Sequence, residues 1–189
     1  GLSAAADILV DAGQAAAAVR ILRRHLSANP DSVPGRMQLA WIHHVVGEPS
    51  LGLEALGPLT ALPPEGLLLA AHLHHALGQD RTALQVVERA ATRAKEEGQS
   101  DFLTADVHLF CSSLHEANGD IPSAIRAARA ALVMAPDSAD CANALGYLLA
   151  DSNRSLAEAE GLVRAALARD GDNPAYLDSL AWALHRQGR

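Results

Sequence analysis

His72 and His75 stand three residues apart, and His44 holds the matching place one repeat of the pattern earlier. Side chains three apart share a helix face. These three imidazoles are therefore the chain's best candidates for holding zinc or another transition metal. Cys111 is flanked by His108 and His115, three and four residues away, the spacing of a thiol beside a helical base. A plainer reading is stronger in both cases. No carboxylate or cysteine joins the histidine group at ligand spacing, and Cys111 fills a slot in an apolar helical period. Glu96 with Glu97, and Glu158 with Glu160, read as solvated helix surface. No Gly-rich phosphate loop, G-x-S-x-G or H-E-x-x-H motif occurs. The expectation is a non-enzyme with no catalytic residues, no metal site and no cofactor.

The elements that position these residues must be helices. The 189 residues are 49% hydrophobic but only 3% aromatic, and alanine and leucine supply most of the apolar count. Alanine is the best helix former, and small apolar side chains let helices pack closely. Strand-like alternation is scarce, so no sheet is expected. A net charge of -7 argues against nucleic acid and anionic membranes, which reward clustered Lys and Arg. No apolar run is long enough to span a membrane. Cys111 and Cys141 both fall in apolar helical stretches and read as buried thiols, not as a disulfide. The chain begins Gly-Leu-Ser without Met and stops at Gly188-Arg189 within a repeat. It is expected to be a segment of a longer protein, whose compartment these residues leave unassigned.

Punctuation recurs down the chain. Ala18 precedes Pro30 by twelve residues, as Ala124 precedes Pro136. Gly13 and Gly47 are 34 apart, as are Ala18 and Gly52, and Pro30 and Pro64. A 34-residue period of Gly, Ala and Pro marks an array of helix–turn–helix repeats. The expected repeats are 1–32, 33–63, 64–98, 101–138 and 139–173, with a half repeat at 174–189, all in one domain spanning 1–189. The expected helix pairs are 3–12 with 15–28, 33–46 with 49–62, 64–77 with 80–97, 101–118 with 121–134, and 139–150 with 156–169. A last helix over 174–187 has no partner. Gly52, Gly57 and Pro58 should make the helix over 49–62 short or kinked. The period contracts by three between Gly47 and Gly78 and expands by seven between Gly78 and Gly119. The turn over residues 151–155 lacks the glycine and carries one extra residue.

Within this frame, Ala142-x2-Leu145-Gly146-x2-Leu149, Leu177-x2-Leu180-Ala181-x2-Leu184 and Arg36-x2-Leu39-Ala40-x2-His43 follow one first-helix pattern. Leu67-x2-Ala70-Ala71-x2-His74 and His108-x2-Cys111-Ser112-x2-His115 follow it more loosely. Ala18-x3-Leu22, Ala83-x3-Val87, Ala124-x3-Ala128 and Ala159-x3-Val163 give the second-helix pattern. The chain thereby resembles the tetratricopeptide repeat (TPR) family in its bacterial form. That resemblance implies an all-α, right-handed superhelical solenoid of about five antiparallel helix pairs plus an unpaired last helix. Ala40, Ala71, Gly146 and Ala181 should sit where first and second helices cross closest. His43, His74 and His115 take the family's Tyr position and read as half-buried packing residues.

In the family, first helices build the inner face. By that alignment Trp41, His72, Ser113, Tyr147 and Trp182 point inward, with His44, His75, Glu116 and His185 one turn later and Met37, Phe110, Asn143 and Asp178 one turn earlier. The implied ligand-binding set is Trp41, His44, His72, His75, Phe110, Asn143, Tyr147, Asp178 and Trp182. Both tryptophans fall on this face, and aromatics favour interfaces. Acidic side chains outnumber basic ones there, which departs from the Lys/Arg/Asn carboxylate clamp of some family members. The expected function is a protein–protein interaction scaffold for an apolar or basic peptide. The alternative is a regulatory or targeting module of a larger enzyme or of a secretion or envelope assembly. Leu177, Leu180 and Leu184 lack a second-helix partner and are expected to favour self-association.

Overall fold

The computed structural model describes residues 13–189, and every regular element among them is helical. The chain divides into two compact units, Gly1–Ser100 and Asp101–Arg189. The helix expected over residues 3–12 lies outside the described residues. The first unit carries α1 (Ala15–Ala28), α2 (Val33–Val45), α3 (Pro49–Leu56), α4 (Pro64–Ala76) and α5 (Asp80–Glu96). The second carries α6 (Ala105–Ala117), α7 (Ile121–Met134), α8 (Ala139–Asp151), α9 (Leu156–Arg169) and α10 (Pro174–Arg186). Within the units α2 pairs with α3, α4 with α5, α6 with α7 and α8 with α9. First helices also touch the next first helix, α2 on α4 and α8 on α10.

The irregular period has a simple origin. The first helices α2, α4, α6, α8 and α10 are all thirteen residues long. The second helices α1, α7 and α9 have fourteen. Each of those three is followed by a four-residue linker. The contraction arises at α3, which has only eight residues and a seven-residue linker. It stops at Gly57, whose φ of 69° is a left-handed conformation that glycine adopts freely, and Pro58 cannot continue the helix. Arg93 of α5 then ties down this linker, donating to the carbonyls of Thr60 at 3.3 Å and of Leu62. The expansion arises at α5, with three extra helical residues and four extra linker residues. The division between the units falls in that linker.

One helix start differs from expectation. The helix predicted to begin at Asp101 begins at Ala105, because Thr104 is extended and its hydroxyl accepts from the Val107 N–H. Ser32, Asp120, Ser138 and Asn173 cap α2, α7, α8 and α10 in the same manner.

The turns inside the pairs share one device. Gly47, Gly78 and Gly119 have φ between 70° and 78°. Each turn closes with a backbone bond back to the first helix: Glu48 to His43, Gln79 to His74 and Asp120 to His115. This is the Schellman arrangement. Asn153 replaces the glycine at φ 55° before the fifth pair's second helix, and the extra residue, Ser155, is also left-handed at φ 44°. Gly188 repeats the device after α10.

The crossings are as close as the small residues suggest. Ala40 and Ala71 are fully buried. A Cβ on Gly146 would lie 2.6 Å from Val163 Cγ2 and 3.0 Å from the Ala159 carbonyl. Ser112, at the same place in α6, donates to the Ala124 carbonyl at 2.9 Å, so its hydroxyl is satisfied inside the crossing. Ala181 departs from this set. It is exposed, because among the described residues no helix follows α10 to cross it there.

Candidate binding site

In the first unit the predicted face gathers around Trp41 on α2. Its ring is 37% exposed although it is the largest side chain on the helix. With Val33, Pro34, Met37, Pro63 and Leu69 it lines a groove of about 580 Å³, rimmed by Gln38 and Glu65. Ala40, Ile42 and His43 on the same helix are buried, so α2 packs through one side and presents Trp41 on the other. One turn on, the His44 ring lies 6.2 Å from His72 of α4. Burial first, and the neighbouring imidazoles of His44 and His75 second, hold the His72 imidazole below its ordinary value. His75 turns toward its own helix end, with Nδ1 2.5 Å from Asp80 Oδ1. Among the described residues, no three His, Cys, Asp or Glu side chains converge as metal ligands would.

The histidines at the expected Tyr position have a structural role. His43 is buried, with Nδ1 2.8 Å from Glu48 Oε2. His74 is half-buried, with Nδ1 2.7 Å from Gln79 Oε1. Each ring thus bonds the side chain whose backbone closes the turn behind it. His115 sits 3.8 Å from Asp120 Oδ2, too far for a hydrogen bond. Neither cysteine is in a disulfide; Cys141 is buried and Cys111 half-buried.

In the second unit the face forms a second groove, of about 570 Å³, between α8 and α10. Tyr147, Asp151, Asp178, Ala181, Trp182 and His185 line it. The Trp182 indole donates to Asp151 Oδ1 at 3.2 Å. His185 stacks on that indole at 5.5 Å, and the Arg186 guanidinium lies 5.6 Å over the ring. Burial first, then the carboxylates of Asp151, Glu116 and Asp178, push the Tyr147 phenol above its ordinary value. Glu116 of α6 is likewise pushed up, by burial and then by Asp151. Asn143, one turn before Tyr147, is half-buried, and its side-chain oxygen has no hydrogen-bond partner in the structure. Phe110 of α6 is half-buried and lines neither groove.

The helical fold matches that of known proteins. A solved structure of MamA superposes with a TM-score of 0.70 at 17% identity, covering 88% of both chains. A thermophilic TPR protein of Thermus thermophilus gives 0.65 at 22% identity over 97% of both chains. YrrB, described as a TPR protein with an unusual peptide-binding site, gives 0.68 at 15% identity over 97% of this chain and 89% of that one. A TPR repeat-containing protein of Pseudomonas aeruginosa is 35% identical over 104 residues. The chain has the fold of the TPR proteins, an array of antiparallel helix pairs. No family model matches it. The aligned stretch is 54% of this chain and only 18% of the Pseudomonas relative, so the chain spans a small part of that protein's length.

Two contributors stand outside the implied binding set. Asp151 counted in the sequence only among the acidic side chains of that face, yet it orients Trp182 and borders the groove. Its place two turns after Asn143 on α8 was the available signal. Tyr176 had no assigned role. It is buried, and its hydroxyl donates to Asp140 Oδ1 at 2.5 Å, tying α10 to α8. That bond pushes the phenol up to about 12, with burial adding to it.

Proposed function

We propose that this chain is a non-catalytic protein-interaction scaffold that binds an extended peptide segment along its first-helix faces. Trp41, His44, His72 and His75 serve in the first unit. Phe110, Asn143, Tyr147, Asp178 and Trp182 serve in the second. The observation that carries this reading is the exposure of Trp41 beside Met37 and Leu69 in an open groove. Leaving so large an apolar ring in water forgoes about 1.5–3 kcal/mol of burial, and exposed apolar grooves with polar rims mark interaction sites. The test is selection of peptides from a random display library, followed by calorimetry on single variants. Alanine at Trp41, Tyr147 or Trp182 should weaken a selected peptide by about tenfold or more, as interface aromatics do, with the melting curve retained. Unchanged affinity in all three would remove the first-helix face from consideration.

A second reading has its own support. Because the chain matches only 18% of the Pseudomonas relative, it also fits a targeting or regulatory module within a larger protein. The same grooves would then serve a partner of that protein. Self-association is a further outcome to test, since Leu177 on α10 is 50% exposed. Light scattering that stays monomeric at high concentration would discard it.

A further inference from the structure

The two grooves differ in chemistry. Around Trp41 the lining is apolar except for Gln38 and Glu65. Between α8 and α10 it is aromatic and acidic, and no Arg or Lys is among its six lining residues. The second unit as a whole has twelve Asp and Glu against seven Arg and no Lys. We propose that the groove between α8 and α10 receives an arginine side chain of a partner peptide, placed between Asp151 and Asp178 and against the Tyr147 and Trp182 rings. This inference rests on the scaffold reading above and names the group recognised by one part of it.

Three carboxylates from three successive first helices act on one phenol: Glu116 from α6, Asp151 from α8 and Asp178 from α10. Like charges gathered at a half-buried site repel, and Glu116 and Asp151 do so directly. An incoming cation relieves that repulsion. Asp151 is already aimed, because the Trp182 N–H holds its Oδ1. The array's own cation on this helix, Arg186, is engaged over the Trp182 ring, and His185 stacks beside it. Arginine fits better than lysine. Its planar guanidinium stacks on aromatic faces while its N–H fork spans two carboxylates, whereas an ammonium is a compact, strongly hydrated point charge.

The experiment starts from peptides selected by display on the intact chain. Calorimetry then compares each peptide with its Arg→Gln and Arg→Lys versions, against the wild type, Trp41→Ala, Asp151→Asn/Asp178→Asn and Glu116→Gln. Asparagine retains an acceptor for the Trp182 N–H, so the double variant is expected to fold. Glu116→Gln alters no lining side chain and serves if it does not. We expect selected peptides to carry arginine and to lose at least about tenfold in affinity with the double variant. Glu116→Gln should cost about twofold to fivefold, and raised salt should weaken the wild-type complex. The Arg→Gln peptide should show no further loss on the double variant, the mark of a direct pair. Peptides without a basic residue, equal binding to the double variant, or a Lys version as tight as the Arg one would each overturn the assignment. Binding that falls with Trp41→Ala but not with the acidic variants would leave the scaffold reading standing and this inference refuted. If no peptide is enriched, both fail.

Discussion

Two glycines lie in helix interiors of the same pair, and the structure gives them opposite futures. Gly146 is buried on α8, where α9 crosses it; Gly161 is exposed on α9 with nothing near its missing Cβ. In open space Gly→Ala stabilises a helix by about 0.5–1 kcal/mol, because the glycine backbone loses more entropy on folding. Gly161→Ala should gain that amount. At Gly146 the same gain meets a Cβ placed 2.6 Å from Val163 Cγ2, against about 3.5–4.0 Å for carbon atoms at rest. Val163 is β-branched and fully buried, so its χ1 cannot swing the methyl aside. The Ala159 carbonyl at 3.0 Å is backbone and cannot retreat alone. The helices must separate, at about 1–3 kcal/mol for an overpacked core. Subtracting the propensity gain leaves a net loss of about 2 kcal/mol at the upper end, and the two variants should differ by the overpacking cost, about 1–3 kcal/mol. Urea midpoints by far-ultraviolet circular dichroism read this directly. Gly146→Ala as stable as Gly161→Ala would mean that α8 and α9 do not cross closely, and the reasoning would fall.

Ser155→Gly should stabilise the second unit by about 1 kcal/mol, because Ser155 is left-handed at φ 44°; an unchanged melting temperature would deny the strain. Tyr176→Phe removes the bond to Asp140 and should lower stability by about 1–2 kcal/mol in thermal melts at neutral pH. Since the folded phenol is pushed up to about 12, its contribution is complete below the ordinary tyrosine value and is lost as pH rises from about 10 toward 12; the variant should lack that alkaline loss. Glu116→Gln should raise stability by about 0.5 kcal/mol at neutral pH after allowing for solvent screening. The folded Glu116 carboxyl is pushed up, so the wild type gains on the variant as pH falls through that raised value, and the difference should shrink in acid melts.

How far the sequence could be read depended on whether a feature was local. The glycine turns are decided within a few residues, and Gly47, Gly78 and Gly119 stand where the spacing put them. The shortened helix was legible too, since Gly57 and Pro58 act through their own backbones. The start of α6 was not, because it is set by Thr104, three residues beyond the expected start, which is extended and accepts from the Val107 N–H. Long-range polar pairs left no trace. Tyr176 and Asp140 are 36 residues apart, and Trp182 and Asp151 are 31. Their meeting follows from the stacking of α8 on α10, which local pattern alone does not fix. Ala181 failed for a related reason. Its type suits a helix crossing, but a following helix is what buries such a residue, and none follows α10 among the described residues.

The length variation, once located, bears on function. Second helices run from eight to seventeen residues, and their linkers from four to eight. The five first helices among the described residues do not vary at all. A first helix packs against its own second helix and against a neighbouring first helix. One residue added to it would rotate its outward side by about 100° and carry Trp41, or Tyr147 with Asp151, out of its groove. A residue added at the far end of a second helix moves only a linker. The array therefore absorbs its irregularities where they leave the candidate binding residues in register. The departures from a 34-residue period fall in second helices and their linkers, and the thirteen-residue first helices are the place to look for ligand.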